Sequence, residues 1–411
     1  MRRFGAPAAD GSRFASAWAD LAGVGRDHLR GGYSRHAFDD ADMQLRQWFV
    51  EQAERRGLEV ENDRNGNVWA WWGPPGAGAV VTGSHLDSVP GGGAFDGPLG
   101  VVSALFAVDE LRLRGVTPAR PMAVACFTEE EGGRFGLPCM GSRLLTGAVD
   151  ADHVRRLHDL DGNSVADAAR RVGFDPSTMG PDPARLASIG TFVELHVEQG
   201  RLLQMTDATA VVGVGSEILA HGRWRITVSG QGNHAGTTSP ADRKDPMIPA
   251  AAAVFAARRA IVEHDGAVAT VGRINPIPGG TNVIASAVQL WLDVRHESPI
   301  VTADIVDSIV AAVRDEAAAE NCTVTVQRES MVDRVAFDAG LGLGLSELLA
   351  APAIPTGAGH DAGVFAAHVP TAMLFVRNPS GVSHAPEEHA DPADCLVGIE
   401  ALADVLENLL R

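Results

Sequence analysis

Between Ser216 and Arg328 the rhythm of the chain changes, and this constrains the fold more than any other feature. Arg223–Ser229 alternates cleanly, with Trp224, Ile226 and Val228 on one face and Arg223, Arg225 and Thr227 on the other. An alanine-rich helix over Pro246–His264 follows, then strands at Val268–Ile274 and Val288–Val294. A helix over Ile300–Ala319 has Ile305, Ile309 and Val313 in register, and Thr323–Arg328 reads as a strand. The order β-α-β-β-α-β is that of a ferredoxin-like domain. On either side the pattern is different, with apolar runs alternating with helices as in an α/β sheet. At 411 residues the chain is too long for one ordinary core. The reading is of one α/β domain, residues 1–215 and 329–411, interrupted by an inserted α+β domain at 216–328.

In the α/β part, Met43, Leu45, Trp48, Phe49 and Ala53 recur at helical spacing within Asp39–Arg56, and Gly57 ends the helix. Val68–Trp72 and Ala79–Thr82 read as strands on either side of a Pro/Gly turn. Pro98 suits a first helical position, and the helix it opens runs from Leu99 to Leu113, closed by Gly115. Met122–Phe127, Thr191–His196 and Thr371–Val376 are further strands. Gly213-Val214-Gly215 starts like a dinucleotide fingerprint but lacks the third glycine and a following helix pattern, so it is set aside.

The formal charge of −18 argues against nucleic acid or an anionic membrane as partner, because both are bound through Lys and Arg. It also means that an anionic substrate needs a local cation. Cys126, Cys139, Cys322 and Cys395 form no C-x-x-C pair and read as reduced, mostly buried thiols. The start, MRRFGAPAADGSRF, has arginines but no apolar leader core. No apolar run reaches the roughly 20 residues that span a bilayer. These features together give the expectation of a cytoplasmic enzyme.

The chemistry concentrates at strand ends. The run VVTGSHLDSVPGGGAFD carries His85, Asp87 and Asp96; the strand ending at Phe127 leads into Glu129, Glu130 and Glu131. His196 and His384 lie in ELHVEQG and GVSHAPEEH. Open α/β sheets place ligands at the carboxyl ends of their strands, and imidazole with carboxylates suits a zinc-like or manganese-like ion. Asp87 is spaced to accept the second ring N–H of His85. The glycines before Asp96 let the backbone fold tightly around an ion, and Asp96 is placed to bridge two. Taken singly, a histidine is commonly a hydrogen-bonded surface residue and an acidic triplet a solvated run. Taken together, and without a G-x-S-x-G elbow, an H-E-x-x-H helix or a Walker loop, they point to a two-metal hydrolase.

Eight ordered motifs carry a resemblance over nearly the whole chain: GSHLDSVPGGGAFDG, FTEEEGGRFG, ELHVEQG, GQGNHAGTT, PGGTNVI, LDVRH, GAGHDA and GVSHAPEEH. The chain resembles the ureido-hydrolysing branch of the di-metal aminoacylase and carboxypeptidase superfamily, which includes N-carbamoyl-L-amino-acid hydrolases and allantoate amidohydrolases. The resemblance implies a di-zinc-peptidase-like catalytic domain, with a mixed sheet flanked by helices, and makes the insert a lid and dimerisation domain. It implies one divalent ion on His85 and His196 and another on Glu131 and His384, bridged by Asp96; zinc, manganese, cobalt and nickel all suit the set. Glu130 would be the general base, with Asp87 supporting the catalytic group. His234 would reach the substrate carbonyl, from its own or the partner subunit. Asn282 and Arg295 would hold the substrate carboxylate, and Gln199, Gly359 and His360 would line the pocket. The implied substrate is a small ureido compound, allantoate or an N-carbamoyl amino acid, and the implied assembly a homodimer, for which the alanine-rich helix Pro246–His264 suits close helix contact across a two-fold axis.

Residue chemistry bears on this independently. In LWLDVRH, Leu290, Leu292 and Val294 share one strand face, which leaves Arg295 on the other beside Trp291 and Asp293, a cation available to a carboxylate. Its plainer reading is a surface salt bridge; that of His234 is a histidine capping its own turn. Arg377, in FVRNPSGVSH, is an extra cation that either reads a polar substrate group or pairs with an acid. Two rival functions stand beside the first: an N-acyl-amino-acid deacylase or dipeptidase on the same scaffold, and a non-catalytic dimeric binding protein.

Overall fold

Met122–Phe127, Ala79–His85, Ile189–Val197 and Thr371–Val376 lie side by side in that order, as four parallel strands, in the computed structural model, which describes residues 11–411. Residues 1–10, which hold most of the N-terminal segment read above as lacking a leader core, lie outside the described residues. Every residue of Ala79–His85, Met122–Phe127 and Thr371–Val376 is buried. That accounts for the apolar runs Ala79–Val81, Met122–Phe127 and Ala372–Val376, since a parallel sheet is covered on both faces. Antiparallel neighbours extend the sheet: Val68–Trp72 beside Met122–Phe127, and Val212–Ile218 beside Thr371–Val376. The Gly213–Gly215 stretch is therefore strand, with no dinucleotide loop.

Helices Pro98–Leu113 and Pro392–Leu410 pack together against this sheet. The first begins with Pro98 at its opening position and stops before Gly115, which sits at φ +72°. Asp39 caps helix Asp40–Arg55 by accepting the amide of Asp42. The Phe127, Phe192 and Phe365 rings meet at 4.9–5.7 Å. The described residues form two compact units: the chain up to Glu217 with Ala336–Arg411, and Ile218–Val335.

The second unit has a four-stranded antiparallel sheet, ordered Thr323–Val332, Ala220–Ser229, Ala287–His296, Val268–Ile277. Helices Met247–Glu263 and Pro299–Ala319 pack against its apolar face. Ile226, Val228, Leu290, Leu292 and Val294 form its core with Ile305, Ile309 and Val313. Strand Thr323–Val332 runs past Arg328, because a bulge between Arg328 and Ser330 interrupts its alternation without ending the pairing.

One expectation is corrected here. Five of the seven alanines of helix Met247–Glu263, read as suiting contact across a two-fold axis, face the unit's own core: Ala250, Ala253, Ala256, Ala257 and Ala260 are buried in it. Small side chains let this helix approach its partner helix and the sheet. The outward stripe is Ile248, Phe255 and Val262, with Phe255 72% and Val262 76% exposed. All four cysteines are free thiols, and Cys322 is only partly buried. Among the described residues no helix is long and apolar enough to cross a membrane.

Candidate metal centre

The four parallel strands end on one side, so their last residues and following loops converge. Strand Ala79–His85 runs three residues beyond the expected Thr82 and ends on His85; His196 is the penultimate residue of Ile189–Val197. Glu129–Glu131 follow Phe127, and the segment after Val376 brings His384. Two groups of donor atoms result, each within 4.8 Å: His85, Asp96 and His196, then Asp96, Glu131 and His384. Asp96 belongs to both, and its two oxygens divide between them. Oδ1 is 3.6 Å from His85 Nε2 and 3.2 Å from His196 Nε2. Oδ2 is 3.3 Å from His384 Nε2, which is 3.4 Å from Glu131 Oε2.

These spacings fit divalent cations. Ligand bonds of about 2.0–2.2 Å in a tetrahedral site put neighbouring donors roughly 3.3–3.6 Å apart. The imidazoles are turned for the purpose. His85 Nδ1 donates to the main-chain oxygen of Asp87 at 3.1 Å, and His196 Nδ1 to that of Val197 at 2.8 Å. Nε2 is thereby left as the electron-pair donor. Both Nε2 atoms and Glu131 Oε1 are buried without an aligned hydrogen-bond partner, and orphaned buried polar atoms are costly unless something else satisfies them. The first group is closed to solvent, whereas the His384 side chain is 48% exposed.

Electrostatics agree. Burial, reinforced by Asp361, Glu131 and Asp87, holds Glu130 well above the usual carboxylate range; burial and Asp96 do the same to Glu131. Burial brings His85 down to about 4. At His196 burial opposes the charged form, but the Asp96 carboxylate prevails and carries it up to about 9. Crowded buried carboxylates favour positive charge between them, which a proton on His196 Nε2 supplies, or a cation in that proton's place.

Asp87 departs from expectation. Its carboxylate accepts the amides of Glu130 and Glu131, each at 3.1 Å, and it is the carbonyl of Asp87 that holds His85. The carboxylate still lies 3.6 Å from His85 Nδ1, so it backs the ring electrostatically while its hydrogen bonds go to the two amides of the acidic loop. Glu130 Oε2 lies 3.5 Å from His85 Nε2, outside either ligand group. Glu129 accepts the amides of Arg134 and Phe135 and shapes its own loop. The glycines act locally. An added Cβ at Gly97 would fall 2.4 Å from His85 Cε1, and one at Gly93 2.3 Å from Glu388 Oε1. Gly93 therefore admits a carboxylate rather than wrapping an ion.

Gln199 donates to Asp96 Oδ2 at 2.7 Å. His360 is buried with its ring 4.5 Å from that of His196, next to exposed Gly359. Arg377 pairs with Asp394 at 2.8 Å, which settles its role in favour of the acid. In the second unit His234 and Asn282 adjoin, since Asn282 accepts the amide of Ala235. Gly236 donates to His234 Nδ1 at 3.1 Å, so the ring does accept from its own turn. Arg295 makes a two-pronged contact with Asp293, which also takes Arg223.

Sequence reasoning missed Glu388, Ser383 and Cys139. Glu388 accepts the amides of Phe95 and Asp96 and bonds Ser383; the Cys139 thiol donates to Glu130 Oε1 at 3.4 Å. The one available signal was the pair of acids in HAPEEH, which reads as a solvated run.

The family described as Peptidase family M20/M25/M40 matches residues 81–408. The N-carbamoyl-L-amino acid amidohydrolase of Geobacillus stearothermophilus is 32% identical over 412 residues, 98% of this chain and 99% of its own. The allantoate amidohydrolase of Escherichia coli (strain K12) is 31% identical over 399 residues, 95% of each chain. A crystal structure of an amidase of the hydantoinase/carbamoylase family from Burkholderia vietnamiensis matches with a TM-score of 0.87 and 29% identity, covering 99% of both chains.

Proposed function

Since the chain belongs to peptidase family M20/M25/M40, within the branch of N-carbamoyl-L-amino-acid and allantoate amidohydrolases, we propose that it hydrolyses a ureido or N-carbamoyl C–N bond of a small carboxylate-bearing substrate. One observation carries the reading: two donor groups share Asp96, each with spacings that suit a divalent ion. His85, His196 and Asp96 would hold one zinc or manganese ion, and Glu131, His384 and Asp96 the other. The chemistry such ions supply when bound is Lewis acidity, which acidifies water and polarises a carbonyl.

The chain's own groups do the rest. Glu130, at the inner edge of the cluster, takes the proton of the attacking water and returns it to the leaving nitrogen. Burial strengthens its hold on a proton, as that duty requires. Asp87 fixes the loop through the amides of Glu130 and Glu131. With His234 Nδ1 accepting from Gly236, the ring proton belongs on Nε2, the tautomer that donates to a carbonyl oxygen as negative charge develops. Arg295 and Asn282 are assigned to the substrate carboxylate, with Asp293 orienting the guanidinium until substrate competes for it. An N-carbamoyl amino acid yields ammonia, carbon dioxide and the free amino acid.

The test is ammonia release from the protein loaded with manganese or zinc, using allantoate, N-carbamoyl-L-amino acids, an N-acetyl-amino acid and a dipeptide. Ammonia from a ureido substrate is expected; cleavage of only the acetyl or peptide compounds refutes it. We also propose a homodimer through the inserted unit. Its outward stripe of Ile248, Phe255 and Val262, seven residues apart, is the apolar surface offered to a second copy.

A further inference from the structure

Glu388 is 5% exposed, and among the described residues its side-chain bonds go to the segments that carry Asp96 and His384. Oε1 accepts the amides of Phe95 at 2.8 Å and Asp96 at 2.9 Å. Oε2 lies 3.0 Å from Ser383 Oγ, which is also 3.1 Å from Asp96 Oδ2. Ser383 directly precedes His384, whose Nε2 is 3.3 Å from the same Asp96 oxygen. One carboxylate thus ties together two segments about 290 residues apart in sequence, through amide-to-carboxylate bonds of the stronger, charge-assisted kind. Gly93 makes room: a Cβ there would stand 2.4 Å from Glu388 Cβ, with no freedom for that atom to rotate away.

The donors on the other side of Asp96 have separate supports. His85 and His196 sit on adjacent buried parallel strands, each anchored through Nδ1 to a main-chain carbonyl. Loss of Glu388 therefore bears unequally on the two donor groups.

We propose that Glu388 is a positioning residue, holding Asp96 Oδ2 and His384 at the spacing that captures the more exposed of the two divalent ions. This rests on the two-metal reading above. Groups that orient ligands from behind typically contribute 10–100-fold in metal affinity, and that loss is expected for the second ion alone.

The experiment titrates Mn2+ alone into the full chain after chelator stripping, following stoichiometry and the electron paramagnetic resonance spectrum. An isolated Mn2+ gives a resolved hyperfine pattern, which coupling to a second ion removes. Wild type should take up two ions and lose the pattern. Glu388→Ala and Gly93→Ala should bind the first ion as wild type does and need about 10–100-fold more Mn2+ for the second. Glu388→Gln keeps the volume and an oxygen for the two amides, and should stay close to wild type. Since an alanine at 388 leaves a hole, Gly93→Ala provides the same displacement with no cavity, and near-UV circular dichroism checks the folding of each variant. Full coupling at wild-type Mn2+ in both displaced variants overturns the role of Glu388, as does equal weakening of both ions. A wild type that binds fewer than two ions overturns the two-metal reading itself.

Discussion

Alanine at Gly97 should injure both stability and metal binding, by an amount the geometry allows to be worked out. Gly97 holds φ +84° and ψ −59°, a conformation that costs an L residue about 1–3 kcal/mol. The new Cβ would stand 2.4 Å from His85 Cε1 and 2.5 Å from His85 Nδ1. His85 is fully buried and its Nδ1 is tied to the Asp87 carbonyl, so the ring has nowhere to retreat. Overpacking of this kind costs about 1–3 kcal/mol. The sum, about 2–6 kcal/mol, is a large part of the roughly 5–15 kcal/mol that holds a typical domain together. Gly115 provides the control: φ is +72°, and no atom lies within 4 Å of its virtual Cβ, so Gly115→Ala carries the backbone cost alone. Urea unfolding of the metal-free proteins, followed by far-UV circular dichroism, should find Gly97→Ala less stable than Gly115→Ala by about 1–3 kcal/mol. Mass-spectrometric metal analysis should find less tightly bound metal in Gly97→Ala only. Equal midpoints with equal metal content would refute the contact between Gly97 and a ligand-bearing imidazole.

Glu130→Gln should lower kcat by about 10²–10⁴-fold while metal content stays at the wild-type level; a rate near wild type removes Glu130 as the base. Arg295→Ala should raise KM for carboxylated substrates by about 10–100-fold, the worth of a charge-assisted contact; an unchanged KM takes Arg295 out of the site. Arg46 is buried between Asp42, Thr128 and the Gly66 carbonyl, so Arg46→Ala strands a buried carboxylate beneath the acidic loop. Its urea midpoint should fall by the equivalent of about 3–5 kcal/mol, and a shift under 1 kcal/mol would mean the loop has other support. Phe255→Asp should convert the proposed dimer to a monomer in light scattering; an intact dimer would take the Ile248–Phe255–Val262 stripe out of the interface.

Much of the architecture was legible because burial writes itself locally. A strand covered on both faces reads as an unbroken apolar run, as at Ala79–Val81 and Met122–Phe127, and one covered on a single face alternates, as at Arg223–Ser229. Strand ends could therefore be found to within a few residues, among them those bearing His85 and His196, and with them the loops bearing Glu131 and His384. The direction a helix face takes was less legible. An alanine-rich helix is equally consistent with packing inside its own unit or against a second copy, and the sheet and neighbouring helix decided for the former.

From the order of residues alone came the identity of the polar groups at the strand ends, the interruption of one α/β pattern by another domain, and the preference for a cation over a nucleophile. Only the folded chain decided which atom does what. The Asp87 carboxylate went to two amides over forty residues away while its carbonyl took His85. Glu388 left the apparent surface run to grip the backbone of Asp96, and Arg377 went to Asp394. The physical reason is common to all three. A carboxylate or guanidinium has no periodic signature announcing its partner, and a main-chain amide offers the same donor whatever its residue type. Such pairings follow from which segments the sheet brings side by side, which is a property of the tertiary structure.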